Sequence, residues 1–293
     1  MSELICQMLG RKNIEGLHMG VEVEVEHADC LDGLSLDHWA IIGDSSLRHE
    51  GREFVSSRPL PYATVDAAID EFEATVADHP NLTVSSRCGV HVHVNVTDLT
   101  HEQVSLLLMA YVAVESAMYK FGGKDRYSNI YCPGVTASLE QLGIMKSALS
   151  RSGFLLACND WCKYTGINFR TVITHGTVEF RAHEGTLEAQ DLRDWTQALK
   201  GLYDYATNLS GKGQLLEDVS KGPKHMARLV FGNLAEEALR DGEYERYFTN
   251  NLTNLIDLVG GGEEYVPKPS ANRQSTSDSI ADIINQINLQ LGA

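Results

Sequence analysis

The chain of 293 residues carries 40 acidic against 24 basic side chains, a formal net charge of −16. That surplus argues against tight binding to a nucleic-acid backbone or an anionic membrane, and an anionic substrate would need a local arginine, lysine or metal. With 43% hydrophobic and 22% charged residues, the composition is that of a globular protein with a sizeable core.

The opening MSELICQMLGRKN lacks a signal-peptide core, and no stretch reaches the roughly 18 uninterrupted apolar residues of a membrane span. The expectation is a cytoplasmic protein. Residues 19–26, MGVEVEVE, alternate strictly and predict a strand. Its side chains point alternately to opposite faces, so Val21, Val23 and Val25 line one side while Glu22, Glu24 and Glu26 crowd the other. Residues 51–60 predict a shorter strand, stopped by Pro59 and Pro61. Residues 64–80 predict a helix: Val65, Ile69, Phe72 and Val76 form one stripe, Thr64 is placed to cap it, and Pro80 ends it.

Residues 89–96, GVHVHVNV, predict a second alternating strand. A long, nearly all-round apolar helix follows over 98–121, opened by a Thr100–Gln103 capping box and implying burial between layers. A helix near 136–151 comes after Pro133-Gly134. Residues 166–173 and 176–184 predict two strands forming a hairpin about Thr174-His175. Leu187, Leu192, Trp195, Leu199 and Leu202 then recur at helical spacing. The character changes after Leu209, which suggests a first domain over 1–209 and a helical extension over 210–293. Within that extension, 259–278 reads as a Gly/Pro/Ser-rich linker. A last helix over 279–291 carries Ile280, Ile283, Ile284 and Ile287 on one face, for docking on the domain or on a second subunit.

Among the six cysteines only Cys158 and Cys162 are close, and a C-x3-C spacing without a second pair favours free thiols over a zinc knuckle. Neither a G-x-x-x-x-G-K-[ST] nor a G-x-G-x-x-G phosphate loop occurs, nor a G-x-S-x-G nucleophile elbow. A bound nucleotide would have to be held by metal ions and arginines.

The strands share one pattern. His91, His93 and Asn95 oppose Val90, Val92, Val94 and Val96; Thr177, Glu179, Arg181 and His183 oppose Val178, Phe180 and Ala182. Asn168 and Arg170 oppose Ile167, Phe169, Thr171 and Ile173. A wet antiparallel face explains any one strand. The set concentrates Glu, His, Asn and Arg, and buried carboxylates must be paired or bind metal. Arg170 and Arg181 cannot satisfy Glu22, Glu24, Glu26, Glu53 and Glu179 together, so divalent cations are the natural complement. Oxygen ligands suggest Mg²⁺ or Mn²⁺; the His-x-His pair makes zinc a weaker alternative.

In order along residues 16–205, GVEVE (20–24), DSSL (44–47), EFVSSRPL (53–60), CGVHVHV (88–94), KYTGINFR (163–170) and TVEFRAHEGTL (177–187) followed by Trp195 resemble the amidoligase family of bacteria and phages. Its members are relatives of glutamine synthetase and glutamate–cysteine ligase. The resemblance implies an α+β fold with a curved, mainly antiparallel sheet, ATP and metal ions on its concave face and helices on its convex face. It also implies ATP-dependent amide bond formation through an acyl phosphate, on a small amino-acid, peptide or modified-nucleotide substrate, in the cytoplasm of a bacterium or phage-infected host. Small-molecule carboxylates and amines would be the partners, with homo-oligomerisation open.

Carried over by position, Glu22, Glu24, Glu53, His91 and Glu179 become metal ligands, while His93 and Glu179 serve the reacting groups. Arg181 becomes the phosphoryl clamp, and Lys163, Asn168 and Arg170 become nucleotide or substrate contacts. Glu26 falls outside the family pattern and is expected at a solvated strand end. Two other readings use the same residues: a zinc- or manganese-dependent hydrolase, and a non-catalytic binding or assembly protein.

Overall fold

The computed structural model describes residues 3–123, 126, 132–135 and 139–259. The expected helix at 279–291, and the expected linker beyond Val259, lie outside the described residues. The first half comprises α1 (Ile5–Leu9), β1 (His18–Val25), β2 (Trp39–Gly43), β3 (Arg52–Ser56), β4 (Leu60–Pro61), α2 (Val65–Asp78) and β5 (Gly89–Asn95). There follow α3 (His101–Phe121), α4 (Leu139–Ala148), α5 (Phe154–Asp160), β6 (Ile167–Asn168), α6 (Arg170–His175) and β7 (Thr177–Glu184). The chain continues through α7 (Ala189–Asn208), α8 (Lys212–Ser220), α9 (Pro223–Phe231), α10 (Ala235–Leu239) and α11 (Glu243–Val259).

The fold is α+β. Seven strands form one open sheet in the order β2-β3-β1-β5-β7-β6, with β4 paired to the start of β1. Every strand pairing among the described residues is antiparallel. Alternation sorts the sheet as expected: Val21, Val23, Val25, Phe54, Val90, Val92, Val94, Val178 and Phe180 are all buried in the core. Helices cover that face. Phe72 of α2 packs edge-on against Phe54 of β3, with ring centroids 5.0 Å apart. Tyr111 of α3 lies 5.9 Å from Phe180 of β7, and Trp195 of α7 lies 5.4 Å from His183.

By length and composition α3 could cross a membrane, but 89% of its most apolar window is buried inside the fold. Its all-round hydrophobicity has a local cause: the sheet lies on one side and α11 on the other, where Asn251 donates to Ser116 Oγ at 2.9 Å. The capping box forms as the sequence requires, with Gln103 N–H donating to Thr100 Oγ1 at 3.2 Å and Thr100 N–H donating to Gln103 Oε1 at 3.0 Å.

Four expectations need correction. Thr64 does not cap α2, because its hydroxyl donates backward to the Pro61 carbonyl at 2.8 Å and its backbone is already helical. The strand expected over 166–173 is only two residues long; Arg170–His175 is a helical turn instead. Asn168 Oδ1 accepts the Arg170 N–H at 2.9 Å and turns the chain, Phe169 and Val172 bury at helical spacing, and Gly176 ends the turn at φ +73°. β6 and β7 still pair, through that helix rather than a tight turn.

The third correction concerns His183. A β-bulge sets one step more on β7 than on β5 between the pairs Val92↔Phe180 and Val90↔His183. The bulge reverses the alternation after Arg181, so His183 turns from the polar face into the core against Trp195. The fourth is Glu26, which is only 3% exposed rather than solvated. Its Oε1 accepts the Arg48 N–H at 3.0 Å and its backbone pairs with Thr83, so it anchors the loop before β3.

Candidate active site

Register assembles the polar face. β1 lies between β3 and β5, which sets Glu22 opposite His91 and Glu24 opposite Glu53. β7 flanks β5 on its other side and sets Glu179 opposite His93; β6 sets Asn168 opposite Glu179. Side chains directly opposite on one face stand within contact reach, and like charges so placed repel. Seven residues from five strands therefore meet without any loop having to position them.

Glu22 is the hub. Its carboxylate oxygens lie 3.4 Å from His91 Nδ1 and 3.3 Å from His93 Nε2. His93 Nδ1 is 2.9 Å from Thr177 Oγ1, which fixes the ring from behind. Glu179 accepts from Asn168 Nδ2 at 2.7 Å, pairs with Arg181, and lies 3.9 Å from His91 Nδ1. Glu24 accepts the Gly89 N–H at 2.6 Å. Two sets, Glu22–His93–Glu179 and Glu22–Glu53–His91, each bring three ligand atoms within 4.8 Å of one another. Glu24 joins neither set, so its contribution to a cation would come beside them.

Burial alone would raise Glu22, but its hydrogen bonds to His91 and His93 and their charges outweigh burial and hold its carboxyl far below the usual range. His93 moves the opposite way: burial would lower it, and the Glu22 hydrogen bond and charge raise it. Glu179 is lowered, because Arg181, His91, His93 and the Asn168 hydrogen bond together overcome its burial. Glu24 is raised, chiefly by burial. Glu53 is pushed up to about 8 by burial and then by the charges of Glu22, Glu24 and Asp44. A carboxyl that holds its proton near neutral pH amid other acids marks a local excess of negative charge. The donor set fits a divalent cation: it is rich in carboxylate oxygen, has two imidazoles, and its most crowded acid would ionise once a cation shared the space.

The remaining expected residues divide. Arg181 reaches the cluster through Glu179, and its Nε is buried without a hydrogen-bond partner among the described residues. Asn168 reaches it as well. Arg170 and Lys163 are exposed, Lys163 resting 4.8 Å over the Tyr164 ring, and among the described residues neither side chain bonds to the cluster. Cys158 is buried, its thiol pushed up to about 12 by burial, while Cys162 is exposed; all six cysteines are free.

Three residues near the cluster were not legible as site residues. Asp44, on the turn after β2, acts on Glu24 and Glu53 through its charge. The signal for it was the DSSL stretch. His175 packs edge-on to His93 with centroids 5.7 Å apart, at the position assigned to a hairpin turn. Arg126 comes from the connection between α3 and α4, which carries no pattern, and its guanidinium ends over Gly89.

Fold and site together define an α+β protein whose sheet carries a half-buried cluster of acids and imidazoles on one face. The family model described as "putative amidoligase enzyme" matches residues 2–202, and the chain belongs to that family, one of ligases of the amide-bond-forming type. The matched span contains every residue of the cluster. No curated protein matches the sequence.

Proposed function

We propose that this protein is an ATP- and Mg²⁺-dependent ligase that joins a carboxylate to an amine through an acyl phosphate. The observation that carries the reading is the convergence of Glu22, Glu53 and Glu179 with His91 and His93, in which burial and then the acidic neighbours push Glu53 up to about 8. Divalent cations, Mg²⁺ or Mn²⁺, would be held by these residues with Glu24 beside them, and would supply charge to the oxygens of a transferring phosphoryl group. Overlay of a nucleotide on the polar face, in the manner of glutamine synthetase, is part of this reading.

The chain's own residues have distinct parts in it. Arg181, oriented by Glu179, stabilises negative charge on the phosphoryl oxygens. Asn168 fixes the Glu179 carboxylate, and Thr177 fixes the His93 ring beside the reacting groups. The substrate carboxylate oxygen attacks the γ-phosphorus and ADP departs; the amine then attacks the acyl carbon, phosphate departs, and the amine proton passes to solvent or a neighbouring base. A small amino acid, peptide or modified nucleotide suits the acidic chain better than a long polyanion.

The presence of an imidazole in each ligand set favours one alternative, a zinc or manganese hydrolase. Calorimetry separates the two. A ligase binds ATP only with Mg²⁺ or Mn²⁺ present and loses that binding in Glu22→Gln; stoichiometric zinc with no nucleotide binding supports the hydrolase.

A further inference from the structure

Arg126 is 3% exposed, yet among the described residues it has no counter-charge of its own. Its Nε donates to the His183 carbonyl at 3.0 Å, which ties the root of the guanidinium to the end of β7 just past the bulge. The far end reaches the polar face. A Cβ built on Gly89 would lie 2.3 Å from Nη2 of Arg126 and 3.0 Å from Nε2 of His91. The guanidinium therefore fills the space that any side chain at 89 would take, on the face shared by His91 and His93.

The nearby acids are already engaged. Glu22 meets His91 and His93, Glu179 meets Arg181 and Asn168, and Glu24 accepts the Gly89 N–H. Among the described residues no carboxylate stands within ion-pair distance of Arg126, and there its guanidinium hydrogen-bonds through Nε. A guanidinium stays charged at any accessible pH, and burying it without a counter-charge is expensive. A carbonyl anchor alone would not call for the fork of Nη donors, whereas a planar pair of anionic oxygens does.

We propose that Arg126 binds an oxyanion group of a substrate, carboxylate or phosphoryl, at the Gly89 end of the polar face. Calling that anion a substrate group rests on the ligase reading; the anion site itself stands on the placement of the guanidinium. Gly89 is then a residue of the site, because its missing side chain gives Arg126 its place.

Calorimetric titration with inorganic triphosphate and, separately, with glutarate, each in the presence of Mg²⁺, tests the assignment without turnover. The wild type is expected to bind one of the two, and which one tells a phosphoryl position from a carboxylate position. Arg126→Gln should weaken that binding by about tenfold to a hundredfold, and Arg126→Lys, which keeps the charge and loses the fork, by less. Gly89→Ala keeps Arg126 but puts a methyl group in its place, and should weaken the same anion; it decides the matter if Arg126→Gln does not fold. Wild-type affinity in all folded variants, or no binding of either anion to the wild type, overturns the assignment. ADP release reports on the ligase reading separately, so an active ligase with an indifferent Arg126 refutes only this inference.

Discussion

Asn168 holds Glu179: its side-chain amide donates to Glu179 Oε2 at 2.7 Å across the β6–β7 pair, while the other carboxylate oxygen pairs with Arg181. Asn168 is itself 3% exposed and bent into the turn before α6, so the amide has little freedom to leave. Asn168→Ala frees the Glu179 carboxylate, and Mn²⁺ affinity should fall by roughly tenfold to a hundredfold. Paramagnetic titration of Mn²⁺ gives the figure; an unchanged affinity would remove Glu179 from the metal set.

Glu22 touches both histidines. Glu22→Gln keeps the shape and loses the charge that both ligand sets share. Turnover should drop by about a hundredfold or more, with the far-UV circular dichroism unchanged. A mutant with near wild-type turnover would take Glu22 out of the site.

His183 titrates against the fold. Burial first, against the Glu184 carbonyl that favours the proton, lowers it from 6.5 to about 4. The unfolded chain therefore binds its proton at higher pH than the folded one. The stabilisation is complete above pH 6.5 and is lost as pH falls towards 4, a total of roughly 3 kcal/mol. Urea unfolding of wild type and His183→Leu should show their difference changing across that window in the direction that favours the variant in acid. A difference independent of pH would contradict the placement of His183.

Gly122 closes α3 at ordinary negative φ, so its need is steric. A Cβ there would stand 1.8 Å from the Ala182 carbonyl oxygen, next to the bulge. Gly122→Ala should lower stability by about 1–3 kcal/mol, read from the urea midpoint, and should also weaken Mn²⁺ binding because β7 must shift. No change in midpoint would contradict the packing of α3 on β7.

Much of this sheet could be read from its residues, because a period of two is unambiguous where valines alternate with ionisable groups. GVEVEVE and GVHVHVNV became neighbouring strands, and Glu22, His91, His93 and Glu179 came together as one face. Alternation carries no sign of a bulge, so His183 could not be separated from Arg181, and it fails over 166–173, where side-chain capping by Asn168 makes a helical turn. Arg126 and His175 arrive from connections, whose positions depend on tertiary packing rather than on a local period. Glu26 shares the face of Glu22 and Glu24 by period, but its partner is the backbone of Arg48, a contact between segments 22 residues apart.

The central claim is tested most directly by product analysis with ATP, Mg²⁺ and paired panels of carboxylates and amines. The account predicts ADP and phosphate in equal amounts with an amide, and transfer of one ¹⁸O from a labelled carboxylate into the phosphate. AMP and pyrophosphate, or phosphate free of label, would contradict the acyl-phosphate route.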